Sequence, residues 1–306
     1  MKILVATEKP FAKAAVDGIR NIVEGSGYTF ALLEKYTSVD QLYQAVADVD
    51  ALIVRSDKVT KEVISAAKKL KIVVRAGAGF DNLDISACTE KRIVAMNTPG
   101  QNSNAVAELA LGFMVYMSRN KFNPGTGYEL KGKTLGIQAY GNVGRLVAKI
   151  AKGFGMDIIA FDPFIPNETI EKDGVKVASS LEDLYSKSNF VSIHIPATEQ
   201  TKKSIGYNLI SKMPKGGCLI NTARKEVINE EELVNILTER EDLKYITDIA
   251  ADNQAELNEK FGNRVFSSPK KMGAETAEAN INAGLAAANQ ICKFFTTGDR
   301  TFQLNK

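Results

Sequence analysis

Cysteine is scarce in this chain. Cys88, Cys218 and Cys292 are three residues among 306, odd in number and far apart. That spacing offers neither a disulfide framework nor a metal-ligand set, and it fits a reducing compartment. An excess of one charge is also lacking. The formal net charge is +3 and no Lys/Arg block stands apart from neighbouring acids, so nothing points to nucleic acid. The densest basic cluster, Lys68, Lys69 and Lys71, reads as a solvated helix end beside a strand. No apolar run is long enough to span a membrane. The chain opens directly on a strand-like segment, KILVA, without the layout of a secretory leader. A cytoplasmic location is expected. Histidine is rarer still: His194 is the only one.

The remaining composition, 44% hydrophobic and 25% charged, suits a globular protein large enough for two domains. Short apolar runs without polar alternation recur between helix-length amphipathic segments. Ile3–Ala6, Ala51–Arg55, Ile72–Arg75 and Ile93–Met96 read as strands, with Phe11–Glu24, Val39–Val46 and Lys61–Leu70 as helices. After a helix at Asn104–Arg119, a second series follows. Its strands are Thr134–Gln138, Asp157–Phe161, Phe190–Ile193, Gly217–Asn221, Tyr245–Asp248 and Val265–Ser267. Its helices are Val143–Phe154, Leu181–Lys187, Thr201–Lys212 and Glu230–Arg240. This pattern predicts an α/β protein with two Rossmann-like domains, each a parallel sheet covered on both faces. KFNPGTGY at 121–128 is a loop by its Gly/Pro content. A last helix, Thr276–Phe295, carries closely spaced alanines suited to tight packing and is expected to return to the first domain. The expected division is 1–99 with 285–306 against 100–284.

The most informative segment is ELKGKTLGIQAYGNVGRLVAKIAKGFGMDIIAFDP, Glu129–Pro163. A strand leads into a glycine turn, a helix and a second strand ending at Asp162, the layout of a dinucleotide pocket. Gly141 would let backbone approach a pyrophosphate, Gly144 would let helix approach strand, and the helix start would offer N–H groups to phosphate. Ala139 takes the first glycine place, which suits alanine only if φ stays negative or the turn relaxes. Asp162 can accept both hydroxyls of an adenosine ribose and repels a 2′-phosphate, so NAD is expected rather than NADP. The plainer alternative is a βαβ crossover whose glycines serve packing.

Several groups could carry chemistry beside such a pocket. Arg224 follows the strand CLINTA, where parallel sheets hold ligands, and a guanidinium binds carboxylate in a two-pronged way; an exposed arginine paired with Glu226 or Glu230 is the plainer alternative. Hydride transfer also needs a proton carrier. His194 could face the cofactor or be structural. Lys270 and Lys271 form a turn before Gly273 and could exchange a proton, or be solvated. A carboxylate should orient such a lysine, and Asp252, with Glu256 behind it, is the candidate. Asp248 at a strand end could contact the nicotinamide side. Arg55 and Arg75 end strands in the first domain. Arg75 leads into AGAGFDN, whose backbone could cup an anion. Two such arginines imply a substrate with more than one negative charge, unless they form salt bridges at sheet edges.

Taken together, IVRSDKVTKEVISAAKKLKIVVRAGAGFDNLD, AMNTPGQNSNAVAELALGFM, the glycine turn, HIPATEQTKKSIG and LINTARKEVINEEEL resemble, in order, the motifs of the D-isomer-specific 2-hydroxyacid dehydrogenases over nearly the whole chain. The resemblance implies a cofactor domain inserted in a substrate domain, with the active site in the cleft and hinge closure over it. It implies NAD as cofactor, a small anionic substrate, no nucleic-acid or membrane partner, and a homodimer. It places Arg224 on the substrate carboxylate and carbonyl. Arg55, Ser56, Arg75, Ala76, Gly77, Ala78, Gly79 and Asn102 match the substrate side, beside Ser103. Ala139, Gly141, Asn142, Val143, Gly144, Asp162, His194, Pro196, Thr222, Ala223, Asp248 and Gly273 match the cofactor side. Where relatives carry histidine in P-H-x-G-x-x-T, this chain has PKKMGAET. Anchored on Gly273, Lys271 takes that place; anchored on Pro269, Lys270 does, as in a lysine-using branch. The family glutamate falls at Asn253, which leaves Asp252 one step away. The C-terminal sensing domain of longer relatives is absent from this sequence, so feedback through it is not expected. The implied reaction is oxidation of 3-phospho-D-glycerate at the entry to serine synthesis. Another D-2-hydroxy acid, such as glycerate or lactate, and a non-enzymatic NAD-sensing corepressor role stay open.

Overall fold

Alternation of apolar strands and amphipathic helices produces two fully parallel sheets, one in each of two units. The computed structural model describes residues 1–305. One unit comprises Met1–Asn102 and the chain from Glu275 onward; the other is Ser103–Ala274.

In the first unit, β1 (Lys2–Thr7), β2 (Thr29–Glu34), β3 (Ala51–Val54), β4 (Ile72–Arg75) and β5 (Val94–Asn97) lie in the order β2-β1-β3-β4-β5. Helices α1 (Lys13–Gly25), α2 (Val39–Val46), α3 (Lys61–Ala66) and α4 (Ile85–Glu90) connect them. Alternate residues of β1 enter different cores: Ile3 and Val5 pack in one, Leu4 and Ala6 in the other. Both faces of the sheet are therefore dry, which explains strands without polar alternation. Each such buried Val, Leu or Ile contributes about 1.5–3 kcal/mol. β2 escaped the sequence reading because TFALLE contains no Val or Ile and occupies the half-exposed sheet edge.

The second unit begins with α5 (Ser103–Ser118) and continues through β6 (Thr134–Gln138), α6 (Asn142–Gly153), β7 (Asp157–Phe161), α7 (Asn167–Lys172), β8 (Lys176–Val177), α8 (Leu181–Lys187), β9 (Phe190–Ile193), α9 (Tyr207–Ile210), β10 (Cys218–Asn221), α10 (Glu230–Glu239), β11 (Lys244–Thr247), α11 (Gln254–Phe261) and β12 (Val265–Ser267). The sheet order is β12-β11-β10-β9-β6-β7-β8. The chain moves outward from β6 to β8, then returns to the other side of β6 for β9. That reversal opens a crevice at the carboxyl ends of β6 and β9, where sheets of this kind take ligands.

Three expectations need correction here. The helix expected at Thr201–Lys212 is only α9, because Gly206 is extended and Ile205 bridges Ile228. A Cβ at Gly206 would lie 2.0 Å from Glu232 Oε2, so this turn is fixed by α10. The boundary expected between 284 and 285 falls instead at Glu275. Helix α12 (Ala277–Thr297) is one continuous element, capped by Thr276 Oγ1 accepting from Ala279 N at 3.1 Å, and it lies wholly in the first unit. Its buried small residues, Ala283, Ala287 and Ala288, let it lie close against α1. The boundary expected at 99/100 falls at Asn102, where α5 starts. Cys88, Cys218 and Cys292 are buried thiols. Among the described residues no helix is long and apolar enough to cross a membrane.

Candidate active site

The glycine turn closes the end of β6. Ala139 has φ +75°, so of the two alternatives a negative φ is not the one taken: alanine holds the left-handed conformation usually left to glycine, at about 1–2 kcal/mol of strain. The helix is responsible. A Cβ at Gly144 would sit 2.3 Å from the Ala139 carbonyl oxygen, so helix and turn touch backbone to backbone. Gly141 is different. A Cβ there would meet nothing within 4 Å. The turn is open above Gly141, and α6 starts there with exposed Asn142 and half-buried Val143. Unpaired N–H groups and the helix dipole favour an anion at this place.

Asp162, just past β7, clamps the same turn. Its Oδ2 accepts from Tyr140 N and its Oδ1 from Phe164 N, both at 2.8 Å. A carboxylate has about four acceptor positions, so two remain for a ligand hydroxyl pair. Asp162 lines a cavity of ≈ 770 Å³ with Phe161, Pro163, Phe164 and Ile165. His194, beyond β9, donates its backbone N–H to Gln138 O at 2.9 Å, and its ring Nε2 lies 2.9 Å from Ser192 Oγ. Desolvation pushes its pKa down to about 3, so the imidazole is neutral at physiological pH. The Pro196 carbonyl accepts from Thr201 Oγ1 at 2.6 Å.

The chemistry-bearing groups converge beyond β10. Asn221 is fully buried; its Oδ1 accepts from Ala223 N at 3.0 Å and its Nδ2 donates to Arg224 O at 2.9 Å. This side chain sets the turn that presents Thr222, Ala223 and Arg224. The Ala223 carbonyl oxygen then accepts from two cations, Arg224 Nη1 at 2.9 Å and Lys271 Nζ at 2.7 Å. Two residues 47 apart in sequence thus meet on one oxygen. The two nitrogens are no further apart than the sum of those distances. Asn221 was missed by sequence reasoning, although a polar residue closing an apolar strand is a readable signal.

Asp248, just beyond β11, faces these cations. Its carboxylate is fully buried, and Oδ2 accepts from Gly273 N at 2.8 Å. Burial raises its pKa, opposed by the charge of Lys271, the amides of Gly273 and Met272, and Arg224. A Cβ on Gly273 would lie 2.7 Å from Asp248 Oδ2, so this turn needs glycine to bring Lys271 in. Asp252 does not join the group. Its exposed carboxylate pairs with Lys225, while Asp252 N and Asn253 N donate to Glu230 at 3.0 and 3.3 Å. Glu256 pairs with Lys260 at 2.6 Å. The loop before α11 turns this acidic stretch toward α10, so the carboxylate facing Lys271 is Asp248. Lys270 is exposed, and its side chain takes no partner among the described residues.

The substrate-side candidates of the first unit end or follow β3 and β4, except Asn102, which lies beyond β5. Arg55 Nη2 donates to both carboxylate oxygens of Glu275 at 3.0 Å, which is the salt-bridge alternative. Arg75 Nε donates to Arg55 O at 2.9 Å. Its guanidinium fills the place a Cβ would take on Gly77, whose φ is +149°. Ala76 N and Gly77 N donate to Val54 O and Arg75 O at 2.8 and 2.9 Å. Two N–H groups of the expected anion cup are thus engaged within the unit. The Ala78 carbonyl accepts from Asn97 Nδ2 at 2.5 Å. Gly79 and Asn102 are half-buried and Ser56 is exposed.

A dinucleotide fits the second unit on its own evidence. The turn at Gly141 is open, Asp162 has acceptor capacity, and Thr222 Oγ1 and Asp248 Oδ1 are buried with no partner among the described residues. Polar atoms left in that state are satisfied by something the protein chain does not supply.

Comparison with known proteins agrees. The D-isomer specific 2-hydroxyacid dehydrogenase NAD binding domain matches residues 109–269. The chain is 38% identical over 272 residues to a D-3-phosphoglycerate dehydrogenase of Methanocaldococcus jannaschii, covering 83% of this chain and 51% of that protein. Over 272 residues it is also 38% identical to a hydroxypyruvate reductase of Thermotoga maritima, covering 83% of this chain and 87% of that one. The chain spans about half the length of several curated relatives it matches. A crystal structure of NAD+-bound 3-phosphoglycerate dehydrogenase from Entamoeba histolytica aligns with TM-score 0.90 at 52% identity, covering 100% of this chain and 99% of that one.

Proposed function

The chain belongs to the D-isomer specific 2-hydroxyacid dehydrogenase family, and from that premise we propose that it oxidises 3-phospho-D-glycerate reversibly to 3-phosphohydroxypyruvate with NAD, the entry to serine synthesis. NAD supplies the hydride acceptor at its nicotinamide ring when bound. Gly141 and the start of α6 would hold its pyrophosphate, Asp162 its ribose, and Thr222 and Asp248 its nicotinamide end.

Arg224 grips the substrate carboxylate and polarises the oxygen on C2. Lys271, as the neutral amine, accepts the hydroxyl proton while the hydride leaves C2; in the reverse direction the ammonium returns it. Asp248 stabilises the charged ammonium and keeps it beside Arg224. The observation that carries this reading is the Ala223 carbonyl shared by Lys271 and Arg224, which sets proton carrier and carboxylate anchor side by side. That geometry also favours Lys271 over Lys270.

Similarity to a hydroxypyruvate reductase supports a second substrate reading, D-glycerate and hydroxypyruvate. NADH absorbance with 3-phospho-D-glycerate, D-glycerate and D-lactate decides between them. The highest kcat/KM is expected with the phosphorylated acid. A preference for D-glycerate would favour the second reading. NAD binding without NADH formation from any of the three would contradict an enzymatic role and favour NAD sensing.

A further inference from the structure

Arg55 is the cation of the first unit best suited to a second negative charge on the substrate, and the chain already supplies it with an anion. Both oxygens of Glu275 accept from Arg55 Nη2 at 3.0 Å. The guanidinium side chain is 17% exposed and the carboxylate 57%. The cation is thus sheltered while its partner approaches from the solvent side. Arg75 fixes the arginine's own backbone through Arg55 O. Glu275 lies four residues beyond Lys271 in the same turn-to-helix segment, immediately before the cap of α12.

We propose that Glu275 is an internal competitor for the substrate: its carboxylate occupies Arg55 as an anion that the phosphate group of the substrate displaces, and so weakens phosphate binding in the resting chain. The inference rests on the reading of Arg55 as a substrate-side group. The physical argument is one of exchange. Replacing one carboxylate by another at Arg55 gains no charge. A phosphate carries roughly −1.5 to −2 near neutral pH and three acceptor oxygens, so its exchange for Glu275 is favourable. The displaced carboxylate is mostly hydrated already and returns to water at small cost. Glu275 therefore sets a cost on occupying Arg55 that a doubly charged phosphate meets, and neutralising Glu275 removes that cost.

The test is Glu275→Gln, which keeps size and removes charge. KM for 3-phospho-D-glycerate should fall about two- to fivefold, the equivalent of a partly exposed ion pair. KM for D-glycerate, which has no phosphate to place on Arg55, should stay the same. A second measurement needs no turnover: inorganic phosphate should raise the melting temperature of Glu275→Gln more than that of the native chain. The difference should vanish when Arg55→Gln is added, which separates it from phosphate at the start of α6. An unchanged or raised KM together with an unchanged phosphate response would overturn the proposal and leave Glu275 as an anchor for α12. If the native chain fails to oxidise 3-phospho-D-glycerate, the proposed function fails, and the phosphate measurement still decides the role of Glu275.

Discussion

Two glycine turns follow parallel strands, one in each unit, and they differ in what fills them. The turn after β4 is closed by its own chain: the Arg75 guanidinium occupies the space over Gly77, and Ala76 and Gly77 use their N–H groups locally. The turn after β6 is closed below and open above. Gly144 is pressed against the Ala139 carbonyl, while Gly141 faces empty space at the start of α6. Glycine spacing alone does not separate a ligand cradle from a self-packed turn. What separates them is whether a neighbouring side chain already stands where the ligand would.

This contrast can be broken by substitution. Gly141→Val should weaken NAD binding by roughly two orders of magnitude, equivalent to losing two charge-assisted hydrogen bonds at about 1.5 kcal/mol each. Its φ of −79° suits any residue, and stability should move by less than about 0.5 kcal/mol. Titration calorimetry with NAD and a melting curve read the two effects separately. Gly77→Ala should do the reverse. Its φ of +149° costs an L-residue about 1–3 kcal/mol of stability, and the Arg75–Arg55 contact must shift. NAD affinity measured by the same calorimetry should stay native. If Gly77→Ala were harmless to folding and Gly141→Val harmless to NAD, the two turns would not differ as described. The smallest effect sharpens the comparison. Ala139→Gly should relieve left-handed strain but loosen the unfolded chain, for a net gain of about 0.5 kcal/mol in chemical denaturation.

Much of the fold was legible because both sheets are dry on both faces. Runs such as TLGIQ and DIIAF read as strands without knowledge of their neighbours, and β6 and β7 match their expected bounds. Sheet order was not legible, since it depends on which crossover packs on which face. The edge strand β2 was missed for want of Val and Ile, and α11 was hidden in a stretch read only as acidic. Of the site, the glycine turn, Asp162, Arg224 and the lysine turn follow from strand ends and motif spacing. The choice of Asp252 as orienting acid did not survive, because its place in sequence says nothing of Lys225 and Glu230, which hold it elsewhere. Asp248 reads as a strand-end carboxylate, but its place beside Lys271 emerges only when the Gly273 turn folds back onto β11. The pairing of Arg55 with Glu275, 220 residues apart, has no local signal.

The central claim is that the amine of Lys271 exchanges the substrate proton beside Arg224. Its most direct test is NADH formation from 3-phospho-D-glycerate by Lys271→Ala and Lys270→Ala, with and without added methylamine as a replacement base. The account predicts that Lys271→Ala loses about a hundredfold or more in kcat, keeps native NAD affinity and regains part of its rate with methylamine, while Lys270→Ala turns over as the native chain does. Native kcat in Lys271→Ala, or loss confined to Lys270→Ala, would contradict it.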